Sequence, residues 1–142
     1  MLGRLAKWLR ILGYDALYFT GGKRSDLIIM SLREERVIIT RDSHLGKRQG
    51  FNRLILDSDI VGRQLKRVIE YFHLSADSKK IFTRCVICNR LLEKIPKEES
   101  KEKVPPYVFK HQDKFMNCPS CQKIYWQGSH WEKVNKILGE IK

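Results

Sequence analysis

The opening residues, MLGRLAKWLRILGYD, place Leu2, Leu5, Trp8 and Leu12 at helical spacing, while Arg4, Lys7 and Arg10 recur three apart along a different face. This predicts a first helix, basic on its outer side and stopped at Gly13. ALYF (16–19) reads as a short buried strand and TGGKR (20–24) as a turn. Ser25 is then a natural N-cap for a helix reaching about Glu35. VIIT (37–40) is β-branched and too short for a buried helix, which makes it a strand. A short helix is expected over 43–49 and a strand at RLIL (53–56). An amphipathic helix follows that turns Ile60, Val61, Leu65, Val68, Ile69 and Phe72 inward. Strands alternating with helices predict an α/β fold, a parallel sheet flanked by helices on both faces.

The pattern changes near Ser75, where ADSKK (76–80) is a polar connector. It divides the chain into residues 1–80, the α/β unit, and 81–142, a smaller unit that holds every cysteine. Within the second, PKEESKEK (96–103) reads as a solvated loop, Pro105-Pro106 as an extended spacer, and His130 to Ile141 as a final helix.

Charge narrows the partner. Of 142 residues, 28 are Lys or Arg and 16 are Asp or Glu, a net charge of +12. The excess is spread out: residues 1–80 carry 16 basic and 9 acidic groups, the rest 12 and 7. A distributed positive field favours a polyanion, most commonly RNA or DNA. No run approaches the ~18 apolar residues that would span a membrane. The first helix is too polar for a secretory signal, and no small-residue cleavage site follows it. The expected location is therefore the cytoplasm.

The cysteines stand as Cys85-Val-Ile-Cys88, twenty-nine residues, then Cys118-Pro-Ser-Cys121. Two such pairs close the tetrahedral shell of one Zn²⁺. Redox CxxC pairs or buried free thiols would not account for the duplication in a short, charged, β-poor segment. A four-thiolate site is coordinatively closed, so this zinc is expected to hold structure and leave chemistry to other residues.

Those residues are sought at the carboxyl ends of parallel strands, where open α/β sheets bind their ligands. Asp42 lies two residues after VIIT, Asp57 directly after RLIL, and Asp26 in the first turn of the helix before the first of these strands. Clustered carboxylates suit Mg²⁺ or Mn²⁺. Each also has a plainer reading. Asp57 and Asp59 can cap the next helix, Asp26 favours a helix N-terminus, and Asp15 can bond local backbone. Asp42 has the least need of a capping role.

Read in order, MLGRLAKWLRILGYD, ITRD (39–42), RCVICN (84–89), Pro96-Lys97-Glu98, Val104-Pro105-Pro106, CPSC (118–121) and YWQGSHW (125–131) resemble the Mut-seven C-terminal ribonuclease domain family over nearly the whole chain. The resemblance implies a PIN-like nuclease fold with a zinc ribbon and metal-dependent cleavage of RNA by acidic residues. Asp42 of TRD matches an active-site carboxylate, Asp26 the acidic position of the preceding helix, and Asp57 lies near a fourth acidic position. Arg4, Lys7, Arg41, Lys47 and Arg48 become phosphate contacts. The chain departs from the family pattern twice. Family members usually carry an apolar strand ending in aspartate ahead of the MLGRLA helix, which implies either a start placed too late, the favoured reading, or a degenerate site. Gln122 stands where glycine is common after the second cysteine pair, so its turn must accommodate a side chain without loss of zinc. His130 and Trp131 could meet RNA, but Ser129 to Glu132 also fits a capping box, which ranks above catalysis. A non-catalytic RNA-binding protein is the competing reading, and a protein-interaction module a weaker third.

Overall fold

The computed structural model describes residues 2–75, 80–126 and 136. The first half runs α1 (Gly3–Ile11), α2 (Arg24–Arg33), β1 (Ile38–Thr40), α3 (Ser43–Gly46), β2 (Arg53–Ile55) and α4 (Val61–Phe72). β1 and β2 pair in parallel, with Ile38 opposite Arg53, Ile39 opposite Leu54 and Thr40 opposite Ile55. Because side chains alternate along a strand, the two faces take different partners. Leu54, Leu56 and Ile39 join Leu5, Leu9 and Leu12 of the α1 region and Leu65 and Val68 of α4 in one core. Ile38 and Ile55 pack instead with Leu27 and Ile28 of α2, Leu45 of α3 and Phe51. The expected parallel sheet with helices on both faces is therefore present.

The helix directions follow from the connections. α2 precedes β1 and α4 follows β2, so the start of each lies at the carboxyl end of the sheet. The Tyr14 hydroxyl, just beyond α1, donates to the Ser75 carbonyl at 2.7 Å and accepts from its N–H at 3.1 Å, just beyond α4. α1 and α4 thus end together, and α1 also begins at the carboxyl edge.

The second half contains β3 (Glu93–Ile95), α5 (Lys97–Ser100), α6 (Pro106–His111), β4 (Phe115–Asn117) and β5 (Ile124–Trp126), with the strands in one antiparallel sheet ordered β3-β4-β5. It joins the first half at the amino edge of the parallel sheet. The Phe82 N–H donates to the Ile11 carbonyl at 2.9 Å, and Arg84 Nε reaches the Gly13 carbonyl at 3.3 Å.

Several sequence expectations are corrected. Residues 16–19 form no strand: the Ala16 N–H donates to the Asn89 side chain at 3.0 Å, and Leu17 and Tyr18 are exposed. α2 starts before Ser25, with Lys23 as N-cap and the Asp26 carboxylate accepting the Lys23 N–H at 2.9 Å. Ile60 is the N-cap of α4 and half exposed, and neither Asp57 nor Asp59 caps that helix; the Ser58 hydroxyl accepts the Ile60 N–H. The charge run at 96–103 holds α5: Pro96 precedes it, Glu98 and Glu99 favour its first turn, and buried Ser100 closes it through a bond to the Lys97 carbonyl. Pro105 and Pro106 initiate α6 and do not form a spacer. The connector at 76–79, the expected final helix, His130 and Trp131 lie outside the described residues.

Candidate metal centre and carboxylate edge

The two cysteine pairs build equivalent turns. In the first, the Asn89 N–H donates to the Cys85 carbonyl at 2.9 Å and the Cys85 N–H to the Arg90 carbonyl at 2.8 Å; in the second, Gln122 and Lys123 play the same parts around Cys118. Asn89 and Gln122 each follow a second cysteine, and both have positive φ, 72° and 62°. The accommodation expected at Gln122 is therefore real, and Asn89 shares it. A non-glycine residue in this region costs about 1–2 kcal/mol, met here by the closing of the turn.

The four Sγ atoms lie within 4.8 Å of one another, with Cys85 and Cys118 fully buried. A tetrahedral ion with Zn–S bonds of about 2.3 Å requires sulfurs roughly 3.8 Å apart, so the gathered thiols fit Zn²⁺ in number, type and spacing. The electrostatics agree. Burial resists ionisation of Cys85, but hydrogen bonds from the Tyr125 hydroxyl and from the N–H groups of Cys88 and Ile87 outweigh it and bring the thiol down to about 6. Cys121, hydrogen-bonded to Cys88 and close to the other sulfurs, is pushed up to about 12. Burial also raises Cys88. One thiolate forms readily and its neighbours then resist, a conflict that a divalent cation relieves. Tyr125, on β5, orients this site: its hydroxyl lies 3.1 Å from Cys85 Sγ and accepts the Val86 N–H at 3.1 Å. Sequence reading missed it, since nothing local ties a strand tyrosine to a cysteine forty residues away.

The first turn is also where the two halves are tied. Arg10 is buried, with Nε donating to the Ala16 carbonyl at 2.8 Å and Nη1 to the carbonyls of Val86 and Ile87 at 2.9 and 3.1 Å. It is not on the outer face with Arg4 and Lys7. Asp15 does not bond local backbone as expected: it accepts from Arg36 at 3.0 Å and from Asn89 at 2.6 Å. The Arg36 guanidinium, followed by the Asn89 amide, holds its carboxyl below the ordinary range.

The carboxylate edge lies at the opposite end of the sheet. Asp42 and Asp57 stand two residues beyond the same paired rung, Thr40 opposite Ile55. Asp42 does cap a helix: its Oδ1 accepts the His44 N–H at 3.0 Å at the start of α3. Its Oδ2 receives Arg24 Nε from the first turn of α2, and this contact holds the carboxyl below its usual range. The same ion pair brings the turn carrying Asp26 to the end of β1. Asp26 and Asp57 are exposed, and Asp57 has no hydrogen-bond partner among the described residues. The donors are hard oxygens, the right kind for Mg²⁺ or Mn²⁺. The three carboxylates do not converge on a point; among the described residues the four-cysteine group alone does. Lys47 and Arg48 are exposed at the far end of α3 from Asp42, Arg41 directly precedes Asp42, and Arg4 and Lys7 are exposed on α1. Arg24 was not anticipated, because its partner is eighteen residues away across a turn.

A cavity of about 1040 Å³ runs along β1 from Asp15 and Arg36 to Asp42, lined mainly by apolar groups such as Leu5, Leu9, Met30 and Ile39. Its apolar walls do not suit a phosphate chain. No described helix is long and apolar enough to cross a membrane.

Compared with known protein families, residues 1–138 match the Mut7-C RNAse domain. No curated protein and no solved structure matches the chain.

Proposed function

This chain belongs to the Mut7-C RNAse domain family, and on that premise we propose that it hydrolyses RNA phosphodiester bonds at the carboxyl edge of its parallel sheet. The observation that carries the reading is the pair Asp42 and Asp57, set beyond one rung of adjacent parallel strands with Asp26 brought alongside through Arg24. In this reading Asp42, Asp26 and Asp57 would supply hard oxygen ligands for Mg²⁺ or Mn²⁺ at a PIN-like site, the ion drawing together carboxylates that do not converge without it. Held there, such an ion would supply Lewis acidity toward the phosphate and would acidify a bound water. Arg24 orients the Asp42 carboxylate through its ion pair. Arg41, Lys47 and Arg48 contact flanking phosphates, which fixes the scissile bond over the carboxylates. Cys85, Cys88, Cys118 and Cys121 hold a structural Zn²⁺ in a ribbon at the far end, with thiols kept reduced in the cytoplasm.

A second reading has its own support. Both Asp42 oxygens are already engaged, one by Arg24 and one by the α3 cap. A carboxylate so committed also suits a protein that binds RNA without cutting it. The two readings separate in one assay: cleavage of labelled single-stranded RNA with Mn²⁺ by wild type and Asp42→Asn. The nuclease reading expects a loss of at least ~100-fold in the variant. Equal cleavage in both would remove Asp42 from catalysis, and salt-sensitive binding with no cleavage in either would establish the binding protein.

A further inference from the structure

We propose that the outward faces of α1 and α4 form one track for the backbone of single-stranded RNA, leading to the carboxyl edge; this rests on the ribonuclease reading and assigns its substrate a path. α1 and α4 pack side by side on one face of the sheet through Leu5, Leu9, Leu65 and Val68. Their opposite faces therefore look the same way into solvent. Arg4 and Lys7 stand on one, three residues apart, and Arg63, Lys66 and Arg67 on the other; all five are exposed. None forms an ion pair among the described residues, and α1 contains no acidic residue while α4 contains Glu70 alone.

This arrangement works against the isolated protein. Cations at i, i+3 and i+4 on one helix repel one another, and Glu70, one turn beyond Lys66 and Arg67, offsets only part of this. Arg4 and Arg63 also lie in first helical turns that carry no acidic side chain, where the helix dipole disfavours positive charge. A polyanion laid along both helices offsets every one of these terms. The two helices begin at the edge that holds Asp42, so the track ends where the carboxylates stand. Tyr71 distinguishes the kind of nucleic acid. Tyr71 is 45% exposed, with the Arg67 guanidinium 5.5 Å from its ring centroid. An exposed aromatic beside cations stacks an unpaired base, which a duplex does not offer.

The test is anisotropy of a labelled single-stranded RNA with zinc-loaded protein in buffer free of Mg²⁺ and Mn²⁺. The triple variant Arg63→Glu, Lys66→Glu, Arg67→Glu is expected to weaken binding about tenfold or more and to reduce the slope of log K against log salt by about 2. Arg4→Glu with Lys7→Glu should act in the same direction. A control triple on the cysteine half, Lys94→Glu, Lys101→Glu, Lys103→Glu, makes the same change in net charge and should shift affinity less than about threefold. Tyr71→Ala should weaken single-strand binding severalfold and leave duplex RNA unchanged. Glutamine versions of each variant give the same ranking should a glutamate version unfold. Wild-type affinity in the α4 triple, while wild type binds or cleaves RNA, overturns the track alone. Equal losses in the control triple overturn it as well, since net charge would then suffice. Failure of wild type to bind or cut RNA overturns the ribonuclease reading together with it.

Discussion

Replacing Arg10 with Met should loosen the whole molecule without touching RNA. The substitution keeps an unbranched stem in place and removes a buried guanidinium that serves three carbonyls, those of Ala16, Val86 and Ile87. Hydrogen bonds from a charged donor contribute about 1.5–3 kcal/mol each, so the gross loss is roughly 4.5–9 kcal/mol. Against this stands the desolvation of a cation with no carboxylate partner, several kcal/mol that the variant recovers. The net destabilisation is expected at about 2–4 kcal/mol, which for a chain of this size lowers Tm by roughly 6–12 °C. Two measurements read it: thermal unfolding of the zinc-loaded protein, and the rate at which a chromophoric chelator withdraws zinc. The second should rise severalfold, because Arg10 braces the backbone between Cys85 and Cys88. Arg10→Lys should recover only part of the loss, since one ammonium cannot reproduce the fork that spans both halves. A loss below about 0.5 kcal/mol with an unchanged chelation rate would refute the reasoning. Weakened RNA binding with unchanged stability would return Arg10 to the outer basic face.

Four further outcomes follow from the geometry. Cys118→Ser should abolish stoichiometric zinc binding by elemental analysis and cost at least ~3 kcal/mol, with β3, β4 and β5 losing amide protection before α1 and α4. Gln122→Gly should stabilise the protein by about 1 kcal/mol in urea unfolding, because it relieves a left-handed residue whose side chain bonds locally to the Pro119 carbonyl. Asn89→Gly at the equivalent position should destabilise instead, since it loses the bonds to Asp15 and Ala16. The Asp15 carboxyl is held down in the folded state by Arg36 and then Asn89, so its stabilisation is complete above the unfolded value of about 3.9 and is lost as pH falls through the folded value. Urea midpoints of wild type and Asp15→Asn should therefore differ at pH 6 and converge as pH drops below about 4; a constant gap would count against the ion pair.

What the chain reveals by itself is whatever depends on near neighbours. Leu2, Leu5, Trp8 and Leu12, and Leu65 and Val68, recur at the helical period because one stripe must leave water, so α1 and α4 are legible in the sequence, although that pattern does not single out buried Leu9. The β-branched run before Thr40 and the apolar run at 53–56 are legible for the same reason. So are the cysteine pairs, because two thiols separated by two residues face one ion whatever lies between the pairs. Tertiary structure decided the rest. Arg10 shares the spacing of Arg4 and Lys7, and only the arrival of residues 86 and 87 against the end of α1 turns it from a surface cation into a buried tie. Asp42 acquired Arg24 and a capping role because α2 and α3 both meet the end of β1. Four residues of the charge run at 96–103 became helical, ending on buried Ser100, which its composition does not announce. Periodicity records which side of an element faces the core. It carries no information on what, dozens of residues away, comes to stand against a given polar group, and those distant partners fix both the joint between the halves and the orientation of Asp42 at the carboxyl edge.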